Sequence, residues 1–143
     1  MSAGADSPNS DAAIARDWER AKAAHEERVL TPALVFDALG DRVGAGNAIS
    51  ARGLVMQLLG YYSAAGERQL RDIVVALRTA GHPVCAHPKD GYYIAGDAKD
   101  IDATCLFLYS RAMTSLRQIA AMKRVALPDF RGQLQLPIED KAA

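Results

Sequence analysis

Residues 67 to 80 include polar side chains whose types and spacing suit contact with nucleic acid. Apolar residues recur there at intervals of three and four, which predicts an amphipathic helix. Arg68, Gln69, Arg71 and Asp72 lie off its apolar stripe. Arginine and glutamine can form bidentate hydrogen bonds with guanine and adenine, and a helix fits the major groove of DNA. These four residues are therefore candidates for contact with DNA, although any exposed helix carries a polar face.

Three further residues are candidates for contact with the DNA backbone. Ser63 precedes the predicted helix and Arg78 lies near its end, where each could reach a phosphate. Lys89 falls in a Pro-Lys-Asp-Gly turn between two strand-like runs, so we expect it at the tip of a hairpin. From there it could touch the adjacent backbone or the minor groove. Such contacts orient a protein on DNA without reading its sequence.

Histidine and cysteine side chains near this turn are of the types that bind zinc. His82, Cys85 and His87 lie close together in the sequence, and Cys105 follows downstream. Alternate positions of a strand point to opposite faces, so Cys85 and His87 share a face that His82 does not. No Cys-x-x-Cys pair is present. We therefore expect free, buried thiols and predict neither a metal nor any other cofactor.

No pattern in the chain is typical of an enzyme. Gly44-x-Gly46 lacks the third glycine and the preceding strand of a dinucleotide-binding fingerprint, and no Lys-Ser or Lys-Thr of a P-loop is present. Several aspartates fall at predicted helix ends, where carboxylates cap helices and complement their dipoles. No set of nucleophile, base and oxyanion donors can be assembled, so we predict that the protein is not an enzyme.

The segments before residue 60 are predicted to be an arm followed by helices. Residues 1–10 are small and polar, which favours a disordered arm. An N-terminal helix is expected within 11–30, with Trp18 docking it onto the body. Thr31-Pro32 and Ser50 are typical helix starts, and they predict two further short helices.

Beyond residue 60 the pattern changes from helical to extended. A glycine-containing connector over 61–66 precedes the helix at 67–80, and Gly81 is expected to end that helix. Two strand-like runs, 83–87 and 91–95, then form the hairpin. The predicted fold class is mainly α with a small β-hairpin.

The order of elements from 31 to 96 is helix, helix, turn, helix and hairpin. The segments that define it are Ile49-Ser50-Ala51, Leu70-x-x-Ile73-x-x-x-Leu77, Gly81-His82-Pro83-Val84 and Gly91-Tyr92-Tyr93-Ile94. They cover about a third of the chain and resemble winged-helix DNA-binding domains, especially the N-terminal domain of biotin-repressor-type proteins and small phage-type regulators. The 61–66 connector departs from that resemblance, because it is longer than a tight helix-turn-helix turn. The resemblance implies binding to double-stranded DNA, in transcriptional regulation or in replication of a phage or mobile element.

A long helix is predicted from Ala98 to Val125, within the segment 97–127. Its apolar stripe consists of Ile101, Cys105, Leu108, Ala112, Leu116, Ile119 and Met122. A winged-helix body of ordinary size cannot cover so long a stripe, so we expect a homodimer formed through residues 98–125.

The tail over 128–143 contains Gln133-Leu134-Gln135-Leu136-Pro137-Ile138. This run resembles the Gln-Leu-x-Leu-Phe or Gln-Leu-x-Leu-Pro-Leu peptide by which bacterial replication and repair proteins bind the sliding clamp. The resemblance implies that Gln133, Leu134, Leu136 and Ile138 would be the anchors. Apolar tails also fold back on their own domain, so both interpretations stay open. An adaptor that recruits a replisome component is the alternative function.

The composition is that of a globular protein, but it does not by itself decide between DNA and a protein as the binding partner. The 143 residues include 17 basic and 17 acidic side chains, and half of all residues are hydrophobic. Residues 104–127 carry four basic and no acidic side chains, so charge is segregated along the chain. No long apolar run or basic secretory leader is found, which predicts a cytoplasmic protein without membrane contact. The balanced net charge favours the adaptor over a DNA binder.

Overall fold

The computed structural model describes residues 10–26 and 28–137 of the chain. In this part the elements are α1 (Asp11–Glu26), α2 (Pro32–Leu39), a 3-10 turn (Ala45–Asn47), α3 (Ala51–Leu59), α4 (Ala64–Thr79), β1 (Val84–His87), β2 (Gly91–Ile94) and α5 (Ala98–Lys123). The prediction of a mainly helical fold with a small hairpin is confirmed. The arm expected over 1–10 lies outside the described residues, apart from Ser10.

A core between α2, α3, α4 and β1 holds the body together. α2 begins after Thr31, whose hydroxyl accepts a hydrogen bond from the Leu34 amide at 3.2 Å. α3 begins after Ser50, whose hydroxyl accepts from the Gly53 amide at 3.0 Å. Both predicted helix starts are confirmed. The most deeply buried aliphatic side chains of this core are Val35, Leu39, Leu54, Val55, Leu70, Val74 and Val84.

α4 begins earlier than predicted, at Ala64. The Ser63 hydroxyl caps it by accepting from the Gly66 amide at 2.9 Å. Gly66 is buried in the first turn, where an added Cβ would lie 3.0 Å from Cγ1 of Val55 in α3. The connector expected over 61–66 is therefore shorter in the structure and ends at Ser63, because Gly66 belongs to α4 and permits close packing against α3.

The hairpin is extended by a short segment that precedes α3. β1 and β2 pair antiparallel. The Ile49 amide donates to the Tyr92 carbonyl at 2.9 Å, and the Tyr92 amide donates back to the Ile49 carbonyl at 2.7 Å. Val43 makes a second isolated bridge with Ile94. The segment 43–49 thus lies along the free edge of β2 and ties the hairpin to the start of α3.

The N-terminal part of α5 covers the outer face of the hairpin. Asp97 caps the helix by accepting from the Asp100 amide at 3.0 Å. Cys85 and Tyr93, opposite each other on the two strands, are both buried. The buried Thr104 hydroxyl accepts from the Ala86 amide at 3.4 Å. α5 therefore protects one face of a sheet whose other face meets the core.

The buried face of α5 differs from the predicted stripe. The buried positions are Thr104, Met113 and Ala120. On the predicted stripe, Ile119 is 50% exposed and Met122 is 79% exposed. The helix also ends at Lys123, before the expected Val125. Most of the predicted stripe is therefore exposed, with Cys105 and Leu116 partly buried, and the fully buried positions lie beside it.

α1 makes little contact with the rest of the described chain. Its Trp18 is 70% exposed and Ile14 is 57% exposed. The expectation that Trp18 docks the helix onto the body is therefore wrong, and the helix ends at Glu26 before the predicted limit of 30. Within the two described ranges, no helix combines the length and apolar character needed to span a membrane.

Candidate nucleic-acid interface

The N-terminal half of α4 presents the predicted polar residues to solvent. Arg68, Gln69, Arg71 and Asp72 are all exposed, while Leu70 between them is fully buried. Neither arginine forms an ion pair in the part of the chain that the structure describes. α4 thus packs against the core on one side and exposes the guanidinium groups of Arg68 and Arg71 and the amide of Gln69 on the other.

An aromatic and charged cluster adjoins the start of α4. The Tyr62 hydroxyl donates a hydrogen bond of 2.7 Å to Glu67, and this bond raises the pKa of Tyr62. The Arg52 guanidinium carbon of α3 lies 4.7 Å from the centre of the Tyr62 ring, a cation–π distance. Sequence reasoning missed Arg52 and Tyr62, since no local pattern indicates that α3 and the turn before α4 meet here.

Two of the predicted residues already have structural roles. The Ser63 hydroxyl caps α4 and is half-buried. Arg78 is half-buried, and its Nε donates to the Val84 carbonyl at 2.7 Å, linking the end of α4 to β1. Burial lowers the pKa of Arg78. Arg78 lies about 15 Å along the helix from Arg68, so the two cannot contact the same phosphate.

Tyr92 of the hairpin is half-buried, and charged side chains of α4 act on its hydroxyl. Burial is the main cause that raises its pKa, and the nearby charges of Arg78 and Arg71 oppose that rise. The charge of Glu67 adds to the rise, so the charges that act on Tyr92 are of both signs. Sequence reasoning assigned Tyr92 to the hairpin but did not link it to the charges of α4.

The hairpin tip carries Lys89 in exposed position, as predicted. His87 pairs with Gly91 across the turn, and its Nδ1 accepts from the Lys89 amide at 3.2 Å. A groove of about 310 Å³ runs from this tip past Ser50 to Arg111 of α5. The long helix thus adds a second cation near the tip, which sequence reasoning did not include in the site.

The histidines and cysteines considered as metal ligands make separate contacts: His87 is exposed and lies 3.3 Å from Asp90, and Cys105 is only partly buried, not buried as expected. The Cys85 thiol is buried and donates to the Asp100 carbonyl at 3.5 Å, and burial raises its pKa. The His82 ring lies 4.5 Å from the ring of Phe36. Within residues 10–26 and 28–137, no three His, Cys, Asp or Glu side chains are grouped as a metal ion would require.

The tail folds back along α5. The Tyr109 hydroxyl donates to Asp129 at 3.1 Å and accepts from the Phe130 amide at 3.2 Å. Arg131 contacts the Asp129 carboxylate at 2.7 Å, and this hydrogen bonding is the main cause that holds the pKa of Asp129 below its usual range. The tail is therefore fastened to the long helix by a polar cluster.

The residues of the clamp-like run divide into exposed and buried positions. Gln133 is exposed and Leu134 is 58% exposed, whereas Leu136 is only 9% exposed. The backbone turns at Gln135, which has a φ of 54° and directs the Leu136 amide to the Arg131 carbonyl at 2.9 Å. Ile138 lies outside the described residues. In this conformation the anchors do not form one extended peptide.

A scan against protein-family models, a search of curated proteins and a search of solved structures each return no match. The function is therefore inferred from the residues and contacts described above.

Proposed function

We propose that this protein is a winged-helix protein that binds double-stranded DNA. α4 is the helix that enters the major groove, and the β1–β2 hairpin is the wing. The observation that carries the proposal is the exposed N-terminal half of α4, with Arg68, Gln69 and Arg71 on a helix whose opposite side is fully buried. Such a helix can be inserted into a groove without loss of core contacts.

The arrangement around α4 supports this proposal. The winged-helix resemblance rests on the order helix, helix, turn, helix and hairpin, and here α2, α3, α4 and β1–β2 follow in that order. The observed start of α4 at Ala64 also leaves only a short connector after α3. That connector suits a helix-turn-helix better than the one expected from the sequence.

The residues divide into two roles on DNA. Arg68, Gln69, Arg71 and Asp72 face the groove, where arginine and glutamine discriminate between bases and each good contact contributes about 1–3 kcal/mol. Lys89 contacts a phosphate beside the groove. Ser63 and Arg78 keep α4 in position, and their remaining donor groups can reach the backbone. The setting implied by the winged-helix resemblance is transcriptional regulation or replication of a phage or mobile element.

Fluorescence anisotropy with labelled duplexes tests the proposal. The double variant Arg68→Ala/Arg71→Ala is expected to lose selective binding and most of its affinity, while its circular dichroism spectrum stays that of the unmodified protein. The matched control is Lys99→Ala/Arg117→Ala, which removes the same charge from exposed positions of α5. Equal affinity of the two double variants would mean that α4 is not the DNA-binding helix.

A second candidate is an adaptor that recruits a bacterial sliding clamp through the tail. It is favoured by the balanced net charge of the chain and by the exposure of Gln133 and Leu134. Because Leu136 is buried, clamp binding would first require the tail to leave α5. Disruption of the Asp129 cluster should then strengthen clamp binding, and calorimetry of Asp129→Asn with a clamp measures this.

A further inference from the structure

One face of α5 has the spacing of a coiled-coil seam over almost the whole helix. Intervals of four and three residues alternate without interruption along Ile101, Cys105, Leu108, Ala112, Ser115, Ile119 and Met122. This alternation is the a/d pattern of a heptad repeat, which places all seven side chains on one seam. The seam includes Ser115, which the apolar stripe defined from the sequence did not.

The seam is open to solvent although the tail covers the neighbouring face. Ile119 is 50% and Met122 is 79% exposed, and Leu108 nearer the body is 40% exposed. The tail instead lies beside Tyr109 and Met113. Docking of the tail therefore leaves the seam free for another helix.

We propose that a second copy of this chain covers the seam, with the two α5 helices antiparallel and crossing near Ala112. Large apolar side chains lie toward both ends of the seam, and the small Ala112 and Ser115 lie at its middle. In the antiparallel register Ile101 faces Met122 and Cys105 faces Ile119 of the partner subunit. The small residues at the crossing let the helices approach closely.

The surface beside the seam has room for the end of the partner helix. An apolar groove of about 250 Å³ lies between Ile101, Leu108 and the loop of Gly81 and Pro83. The antiparallel arrangement brings the highly exposed Met122 end of the partner helix to this groove. Each protomer then fills the groove of the other, as a two-fold interface requires.

Charge complementarity favours the antiparallel orientation. Asp102 and Lys123 flank the seam on the same side, near its opposite ends. In the antiparallel register Asp102 of one protomer faces Lys123 of the partner subunit, so the pair occurs twice. In a parallel dimer the same two side chains would lie about 30 Å apart along the helices. Neither residue forms an ion pair in the described ranges of the chain.

Sedimentation equilibrium of the full chain without DNA tests the dimer. The unmodified protein is expected to be dimeric and Ile119→Glu monomeric. Ala121→Glu is the matched control, because this exposed position lies about 160° around the helix from Ile119. A monomeric unmodified protein, or equal effects of the two glutamates, would overturn the proposal. Helical circular dichroism of Ile119→Glu verifies that the variant is folded.

Charge reversal and cross-linking test the orientation. Asp102→Lys and Lys123→Asp are each expected to weaken the dimer by roughly tenfold, and the combined variant should regain its affinity. Under mild oxidation Ile119→Cys should give a disulfide dimer through the native Cys105 of the partner subunit, as peptide mapping would identify. Cross-linking of the unmodified protein through Cys105 alone, or no rescue in the charge-reversed pair, would overturn the antiparallel register. Because these assays contain no DNA, their outcome is independent of the proposed DNA binding.

Discussion

Replacement of Gly91 in the hairpin should strongly destabilise the protein, because two separate effects oppose a side chain there. Its φ is +101°, a conformation that residues with a Cβ rarely adopt. An added Cβ would also overlap the Ile49 carbonyl oxygen and lie 2.7 Å from the Ser50 amide nitrogen. These are backbone atoms, so no side-chain rotation can relieve the overlap.

The free-energy cost of Gly91→Ala can be estimated from these contacts. The left-handed conformation costs an alanine about 1–2 kcal/mol. Separation of Ile49 from the hairpin would also break its two hydrogen bonds with Tyr92, each of which contributes about 1 kcal/mol. The expected loss of unfolding free energy is therefore about 3–4 kcal/mol, which is a large fraction of the stability of a small domain.

Gly81→Ala provides the matched control, because Gly81 has a φ of +93° but no heavy atom within 4 Å of the position that an added Cβ would take. The free energy of unfolding of Gly81→Ala should fall only by the conformational cost, about 1–2 kcal/mol. Urea unfolding at one fixed protein concentration measures both variants, and Gly91→Ala is expected to be less stable than Gly81→Ala by about 2 kcal/mol. Equal losses would refute the steric argument and the role of the Ile49–Tyr92 bridge.

Further predictions concern the tail, the hairpin tip and the end of α4. Leu136→Ala should make the tail more sensitive to limited proteolysis than Leu134→Ala, because Leu136 is buried and Leu134 is exposed; equal cleavage would contradict the docked tail. Lys89→Ala should weaken binding to all duplexes alike, since a phosphate contact reads no bases, and a sequence-selective loss in anisotropy would reassign Lys89. Arg78→Ala should lower the urea midpoint, because the Val84 carbonyl loses its 2.7 Å donor, and an unchanged midpoint would show that this bond contributes nothing.

Local signals predicted the parts of the fold whose causes are local. Thr31 and Ser50 cap α2 and α3 through hydrogen bonds to residues three positions ahead, and Gly81 follows the end of α4 in the left-handed conformation. Such interactions depend only on neighbouring residues. They can therefore be read from a single sequence.

Errors arose where distant residues decide the outcome. Gly66 looked like a loop residue, but its contact with Val55 in another helix makes it part of α4. The apolar stripe predicted for α5 is mostly exposed within the chain, because periodicity cannot tell which face of a helix a neighbour covers. Trp18 was likewise expected to dock because it is large and apolar, and it is exposed.

Only part of the candidate site could be predicted, because some of its features depend on residues that are distant in the sequence. Exposure of Arg68 and Arg71 follows from the periodicity of α4 and could be predicted. The meeting of Arg52 with Tyr62, and of Arg111 with the hairpin tip, depends on tertiary packing that no local pattern encodes. Whether these residues bind DNA remains a prediction.

The salt dependence of DNA affinity tests the central claim most directly. About four cationic side chains of each protomer that contacts DNA should displace counterions, so a rise from 50 to 200 mM salt should lower the affinity roughly a hundredfold for each such protomer. For Arg68→Ala/Arg71→Ala, the slope of log affinity against log salt should become shallower by about two for each protomer that contacts DNA. No detectable binding by the unmodified protein at 50 mM salt, or the same slope for this variant and the Lys99→Ala/Arg117→Ala control, would contradict DNA binding through α4.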